Sequence, residues 1–215
     1  MRKFSTLLVV SGLVVASAIV SIAPVSAQFW SWIGRRPRVT LGTRSGVCPM
    51  TPGLLEKNSR VISDRPLFTW QGEAVGLIVQ DEDTNDIVWE TQLTPNMRQI
   101  AYGAQQPLQP NKVYRWQLIS KPSADPVLAP TDDPWDSVAV ISQTEREQHL
   151  AKLKELEKTK AGSDEAIASA KADYLLDQDR RLWSDAVQVL SEVKNPSPEF
   201  TKYYKKLLTN LCTQS

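Results

Sequence analysis

The spacing of apolar residues along this chain changes period near residue 141. Upstream, they come in short runs or at every second position. Leu67, Phe68, Thr69 and Trp70 follow Pro66, and runs over 75–80 and 87–93 flank a polar turn. Val88-Trp89-Glu90-Thr91-Gln92-Leu93 is rich in β-formers. A further short strand is expected over 99–102, and Leu108-Gln109-Pro110-Asn111-Lys112 reads as a turn. Beyond it, Tyr114, Trp116 and Leu118 alternate with Val113, Arg115, Gln117 and Ile119, which places the first three on one face of a strand. Pro122, Pro126, Pro130 and Pro134 impose an irregular connection, after which 137–141 is expected as a closing strand. Short strands at close spacing, separated by Pro and Asn turns, predict an immunoglobulin-like antiparallel β-sandwich over residues 48–141.

From Ser142 the period becomes helical. Ser142 and Glu145 have capping-box spacing and open a helix to about Lys160, with a thin stripe of Leu150, Leu153 and Leu156 that leaves it half exposed. Gly162 and Ser163 restart the chain, and Ile167, Ala170, Tyr174 and Leu175 recur at helical spacing. After a break at 177–180, Trp183, Ala186, Val187, Leu190 and Val193 mark the next helix, which stops at Asn195-Pro196. Ser197 is placed to cap the last helix, with Pro198 at its first position. Phe200, Tyr203, Tyr204, Leu207, Leu208 and Leu211 then form one apolar face. The expected fold class is α+β: the sandwich followed by a three-helix segment over 142–215. The stretch from Tyr174 to Pro198 also has the spacing of a tetratricopeptide-like helix pair. A single pair falls short of the roughly three repeats such arrays need, so a hairpin packed on the sandwich is the plainer reading.

The N-terminus changes the picture most. Arg2 and Lys3, an apolar run over 4–20 and the small residues Val25-Ser26-Ala27 make a secretory signal peptide over 1–27, with cleavage between Ala27 and Gln28. A periplasmic or secreted protein is expected, with no integral span after cleavage. Residues 28–47 have neither helical nor strand period and read as a mobile N-terminal arm. Phe29, Trp30 and Trp32 of that arm are candidate contacts for a partner or glycan, or pack on the protein's own surface. Loss of Arg2 and Lys3 from 25 basic residues, against 24 acidic ones, leaves a net charge of about −1. Such a chain has no general attraction for nucleic acid. Cys48 and Cys212 are the two cysteines. Outside the cytosol they are expected to pair, closing a loop of about 164 residues, with two buried free thiols as the alternative.

Several segments together resemble a bacterial, mostly cyanobacterial, family of secreted proteins with a conserved domain of unknown function. They are Gly42-Thr43-Arg44-Ser45-Gly46-Val47-Cys48, Arg65-Pro66-Leu67-Phe68-Thr69-Trp70, the hairpin from Val79 to Trp89, Leu108 to Trp116, and Leu182-Trp183-Ser184-Asp185-Ala186. The resemblance implies an envelope location, a β-sandwich followed by a helical hairpin, and no established activity. The family's second cysteine follows the Tyr-x-Trp strand. Here that stretch reads Leu118-Ile119-Ser120-Lys121, and Cys212 is the substitute the resemblance suggests.

Candidate chemistry is sparse. Asp81, Asp83 and Asn85 supply alternate oxygens like the start of a calcium loop, but Asp86 stands where an EF-hand has glycine and Gln92 where it has glutamate. A solvated hairpin turn explains the same residues. His149, the single histidine, lies on a charged helix with no nucleophile motif near it and is expected to face solvent. No GxSxG, HExxH, P-loop or dinucleotide fingerprint is present, so no cofactor and no catalytic residues are assigned. Trp70, Trp89 and Trp116 would make a sugar-stacking platform if they shared an exposed face, and otherwise fill the core. The expectation is a non-enzymatic envelope protein that contacts another envelope protein. A cell-wall polysaccharide-binding module is the alternative, and a carboxylate-dependent glycan hydrolase stands below both.

Overall fold

The computed structural model describes residues 47–53, 59–120, 135–159, 162–177 and 181–212. The leader with its Ala27–Gln28 junction, the arm bearing Phe29, Trp30 and Trp32, most of the proline-rich connection and the Leu211 side chain lie outside the described part.

Among the described residues, eight strands precede four helices. The strands are β1 (Cys48–Thr51), β2 (Ser59–Val61), β3 (Leu67–Gln71), β4 (Ala74–Asp81), β5 (Ile87–Gln92), β6 (Gln99–Ala101), β7 (Val113–Ser120) and β8 (Asp136–Val140). They form a three-stranded sheet in the order β1-β3-β6 and a five-stranded sheet in the order β2-β8-β7-β4-β5. The second sheet is mixed rather than antiparallel throughout, because β2 pairs in parallel with β8. Neither β1 nor β2 is among the strands the pattern marks out. Three or four residues are too few to show a period, and the strands they pair with lie about 20 and 80 residues further on.

The alternation along β7 has its packing consequence. Tyr114, Trp116 and Leu118 are buried while Val113 is exposed and Arg115, Gln117 and Ile119 are half-buried. Their inner face meets Phe68 and Trp70 of β3 and Leu77 and Val79 of β4, so both sheets share one apolar core. Phe68 and Trp116 meet edge to face at 5.0 Å between ring centroids, an arrangement that suits their quadrupoles. Tyr114 is buried with its hydroxyl accepting the Gln109 N–H at 2.9 Å, which ties the start of β7 to the loop before it. Asn111, in that loop, adopts a left-handed φ of 61°, a conformation asparagine tolerates well.

The helices are α1 (Gln143–Thr159), α2 (Asp164–Leu176), α3 (Trp183–Ser191) and α4 (Pro198–Cys212), four rather than three. Ala168, Ala172, Leu175 and Leu176 of α2 join Trp183, Ala186, Val187 and Leu190 of α3 and Phe200 and Leu207 of α4 in a second core. Ile62 and Ile141, just beyond the ends of β2 and β8, complete it and couple it to the sheets. Three helices therefore share a core, while α1 buries none of its residues. Ser197 caps α4 through the Phe200 N–H at 3.1 Å. Ser142 likewise accepts the Glu145 N–H, but the Glu145 carboxylate turns to Arg60 instead of completing the capping box. Cys48 on β1 and Cys212 at the end of α4 are joined by a disulfide with a Cα–Cα distance of 6.1 Å, so the last helix is tied to the first strand.

Candidate functional site

The junction of sheets and helices is built on Asp185. It occupies the first turn of α3, and its two carboxylate oxygens accept the Ile62 and Ser63 N–H groups at 2.9 and 3.0 Å. Arg146 of α1 grips the same stretch, donating Nε–H to the Ile62 carbonyl at 2.9 Å and pairing with Asp64 at 3.0 Å. Gln188, one turn along α3, accepts the Leu67 N–H. Four backbone groups around the connection from β2 to β3 are thereby satisfied by two helices. Burial pushes the Asp185 carboxyl up to about 6, opposed by the Ile62 and Ser63 N–H groups and by the Arg146 guanidinium.

Beside this junction, α1 and α3 bound an open cleft of about 460 Å³. Leu150, Leu153 and Val189 supply apolar surface, and Asp185 and Arg146 form part of its wall. Leu150 is 42% exposed. Lys171 of α2 and Glu157 of α1 bridge the helices at 2.7 Å and also line the cleft, and Lys171 holds the Glu157 carboxyl below its ordinary range. α1 thus rests against the body through polar and ionic contacts and through Leu153, which packs on the helical core, while Leu150 stays exposed. An apolar groove with a charged margin is suited to an amphipathic helix.

A second cleft, about 370 Å³, lies at the β4–β5 turn and the loop before β7. The residues of the calcium reading lie here. Asp81 is buried, and its carboxylate accepts the Asp83 and Thr84 N–H groups at 3.0 and 3.3 Å and the Lys112 ammonium at 2.6 Å. The hydrogen bond from Lys112 holds the Asp81 carboxyl below its usual value. Asn85 has a left-handed φ of 61°, and its side-chain oxygen accepts from Arg115 at 2.6 Å. Asp81 and Asn85 are therefore committed to protein partners, in the manner of a turn, and among the described residues no group of three or more His, Cys, Asp and Glu side chains is arranged to hold a metal ion.

Trp70, Trp89 and Trp116 do not share an exposed face. Trp70 and Trp116 are 1% and 0% exposed. Trp116 donates to the Pro52 carbonyl at 2.8 Å, while no acceptor reaches Trp70 Nε1 among the described residues. Trp89 is half-buried, tilted against Phe68 and edge-on to Tyr102. Among the described residues the exposed indole is Trp135, which the period did not single out because it ends a proline-rich stretch. Nor does His149 face solvent. Its side chain is 12% exposed, with Nδ1 at 2.8 Å from the Tyr174 hydroxyl and Nε2 at 3.8 Å from Glu145. Glu145 is itself paired with Arg60, and His149 lines neither cleft. The helical signal could not reveal this, since Tyr174 lies on another helix. Asp136 is a further missed residue: it sits against the Pro52–Gly53 turn, and burial pushes its carboxyl up to about 6.

No helix among the described residues is long and apolar enough to cross a membrane. No protein-family model matches the chain, and none of the curated proteins matches it either.

Proposed function

We propose that this chain is a non-enzymatic protein of the bacterial envelope that binds an amphipathic helix of a partner protein in the cleft between α1 and α3. The observation that carries the reading is α1 itself, a 17-residue helix with no buried residue whose Leu150 and Leu153 line a cleft, Leu150 exposed. Helices in proteins draw most of their stability from packing of an apolar face, so a further apolar surface against Leu150 and Leu153 would stabilise it. The leader over 1–27 supports an extracytoplasmic location, and the resemblance to secreted cyanobacterial proteins agrees with it.

The same proposal takes the strand region as an immunoglobulin-like sandwich. Two features support it. The β1-β3-β6 and β8-β7-β4-β5 orders match sheets built from the A, B, E and the G, F, C, C′ strands of that fold. The Tyr114 hydroxyl bound to the Gln109 N–H resembles the tyrosine corner found at the start of its F strand.

A photocrosslinking residue at position 150, introduced into the protein in its native envelope, tests the function. A discrete adduct that disappears in a Leu153→Asp background is expected. Adducts of equal yield from position 150 and from position 205, on the exposed face of α4, would show that the cleft selects nothing.

A further inference from the structure

The outer face of the five-stranded sheet carries a second, unrelated surface. Trp135 immediately precedes β8 and is 37% exposed. One face of its indole is covered by Arg115 of β7, whose Cζ lies 4.9 Å from the ring centroid. Arg115 is held in place by two amide oxygens, donating Nε–H to Gln80 at 2.9 Å and Nη2–H to Asn85 at 2.6 Å. Ser137 stands opposite Arg115 in the β7–β8 ladder, and Gln117 follows two residues along β7 on the same outward face. The helices pack against β1, β2 and β3, and the residues of this face remain exposed or half-exposed.

We propose that this face binds an uncharged polysaccharide, with a sugar ring stacked on the exposed part of the Trp135 indole. A pyranose presents a face of C–H groups and a rim of hydroxyls. An indole fixed from below by a guanidinium offers a rigid apolar plate for the first, at little cost in side-chain entropy. Gln80, Ser137 and the remaining Arg115 N–H groups offer donors and acceptors for the second. A protein interface of ordinary size has a contiguous apolar centre, whereas the apolar residues of this face, Ile78, Val113 and Ile119, are interspersed in the ladder with Gln80, Arg115, Gln117 and Ser137. A charged polymer gains little either: the Arg115 cation faces a turn carrying Glu82, Asp83 and Asp86, so the surface has no field of one sign. The site is separate from the α1–α3 cleft and does not depend on it.

Affinity electrophoresis of residues 28–215 through mixed-linkage β-glucan, with pull-downs on cellulose and chitin and with alginate as the anionic comparison, tests the proposal. Retention by at least one neutral glycan is expected, with apparent Kd raised at least about tenfold in Trp135→Ala and less in Trp135→Phe. Leu150→Asp, in the helical cleft, should leave retention unchanged. If Trp135→Ala loses the wild-type circular dichroism, Ser137→Glu sets a charge beside an intact indole and should weaken retention in its place. Retention by none of the neutral glycans, retention by alginate alone, or undiminished binding by a folded Trp135→Ala or by Ser137→Glu overturns it.

Discussion

Replacing Asp185 by asparagine isolates the charge of the residue that joins the sheets to the helices. A carboxyl raised by burial from 3.8 to about 6 binds its proton more tightly in the folded chain than in the unfolded one. The associated stabilisation is complete below pH 3.8 and is lost as pH rises through about 6. A shift of this size is worth about 3 kcal/mol between the two ends of that window. The amide of the Asp185→Asn variant would carry no charge at any pH and would keep one carbonyl oxygen for either Ile62 or Ser63. The other N–H would face an amide NH2 group, at a cost of about 1–3 kcal/mol. Near pH 7.5 relief of the buried charge offsets that cost, and the variant should unfold within about 2 kcal/mol of wild type. Near pH 4 only the cost remains, and the variant should be the less stable by about 1–3 kcal/mol. Asp136, also raised to about 6, adds a slope of the same sign to both proteins and cancels in the difference. Urea unfolding followed by far-ultraviolet circular dichroism, at half-unit steps from about pH 4 to 8, gives that difference directly. A stability difference that stays constant across the series would mean Asp185 is ionised throughout and that its two N–H donors, with Arg146, outweigh its burial.

Other consequences are simpler to read. Trp183, 8% exposed in the helical core, should cost roughly 3–5 kcal/mol on change to alanine, against at most about 0.5 kcal/mol for Lys206→Ala on the exposed side of α4; equal denaturation midpoints would refute that core. Trp116→Phe should destabilise more than Trp70→Phe by about 1–2 kcal/mol, because the first strips the Pro52 carbonyl of its donor and the second loses no hydrogen bond. Equal unfolding free energies would contradict the assignment. Reduction of the Cys48–Cys212 disulfide should lower the melting temperature by as much as about 10 °C, with the linked peptide visible in non-reducing mass spectrometry; two alkylated thiols in native secreted material would count against it. Secreted protein should begin at Gln28 on N-terminal sequencing, and a retained Met1 would remove the basis for the envelope reading.

Which side of the longer elements faces inward was largely legible from residue order alone, although Tyr203, read onto the apolar face of α4, is exposed. A strand repeats every two residues and a helix every 3.6, so Tyr114, Trp116 and Leu118, or Phe200, Tyr204 and Leu207, declare a common face without reference to the rest of the chain. Stops and starts were equally local, as at Ser197-Pro198, where a hydroxyl and a missing N–H act within one turn. The number of packed layers and the partners of each polar group were not local. The strand Ser59–Val61 exists because Val138–Val140 lies beside it, and Cys48 meets Cys212 only because α4 returns to β1. Asp185 looks like an ordinary first-turn acid until the Ile62 and Ser63 N–H groups arrive from over 120 residues earlier in the chain. His149 reads as a surface residue until α2 brings Tyr174 to it, and Trp135 as one more residue of a proline-rich linker until β7 sets Arg115 beneath its ring. Periodicity records how each segment divides between apolar and polar surroundings. Only the tertiary structure decides which distant groups supply those surroundings, because that choice is made by chain closure and packing between elements.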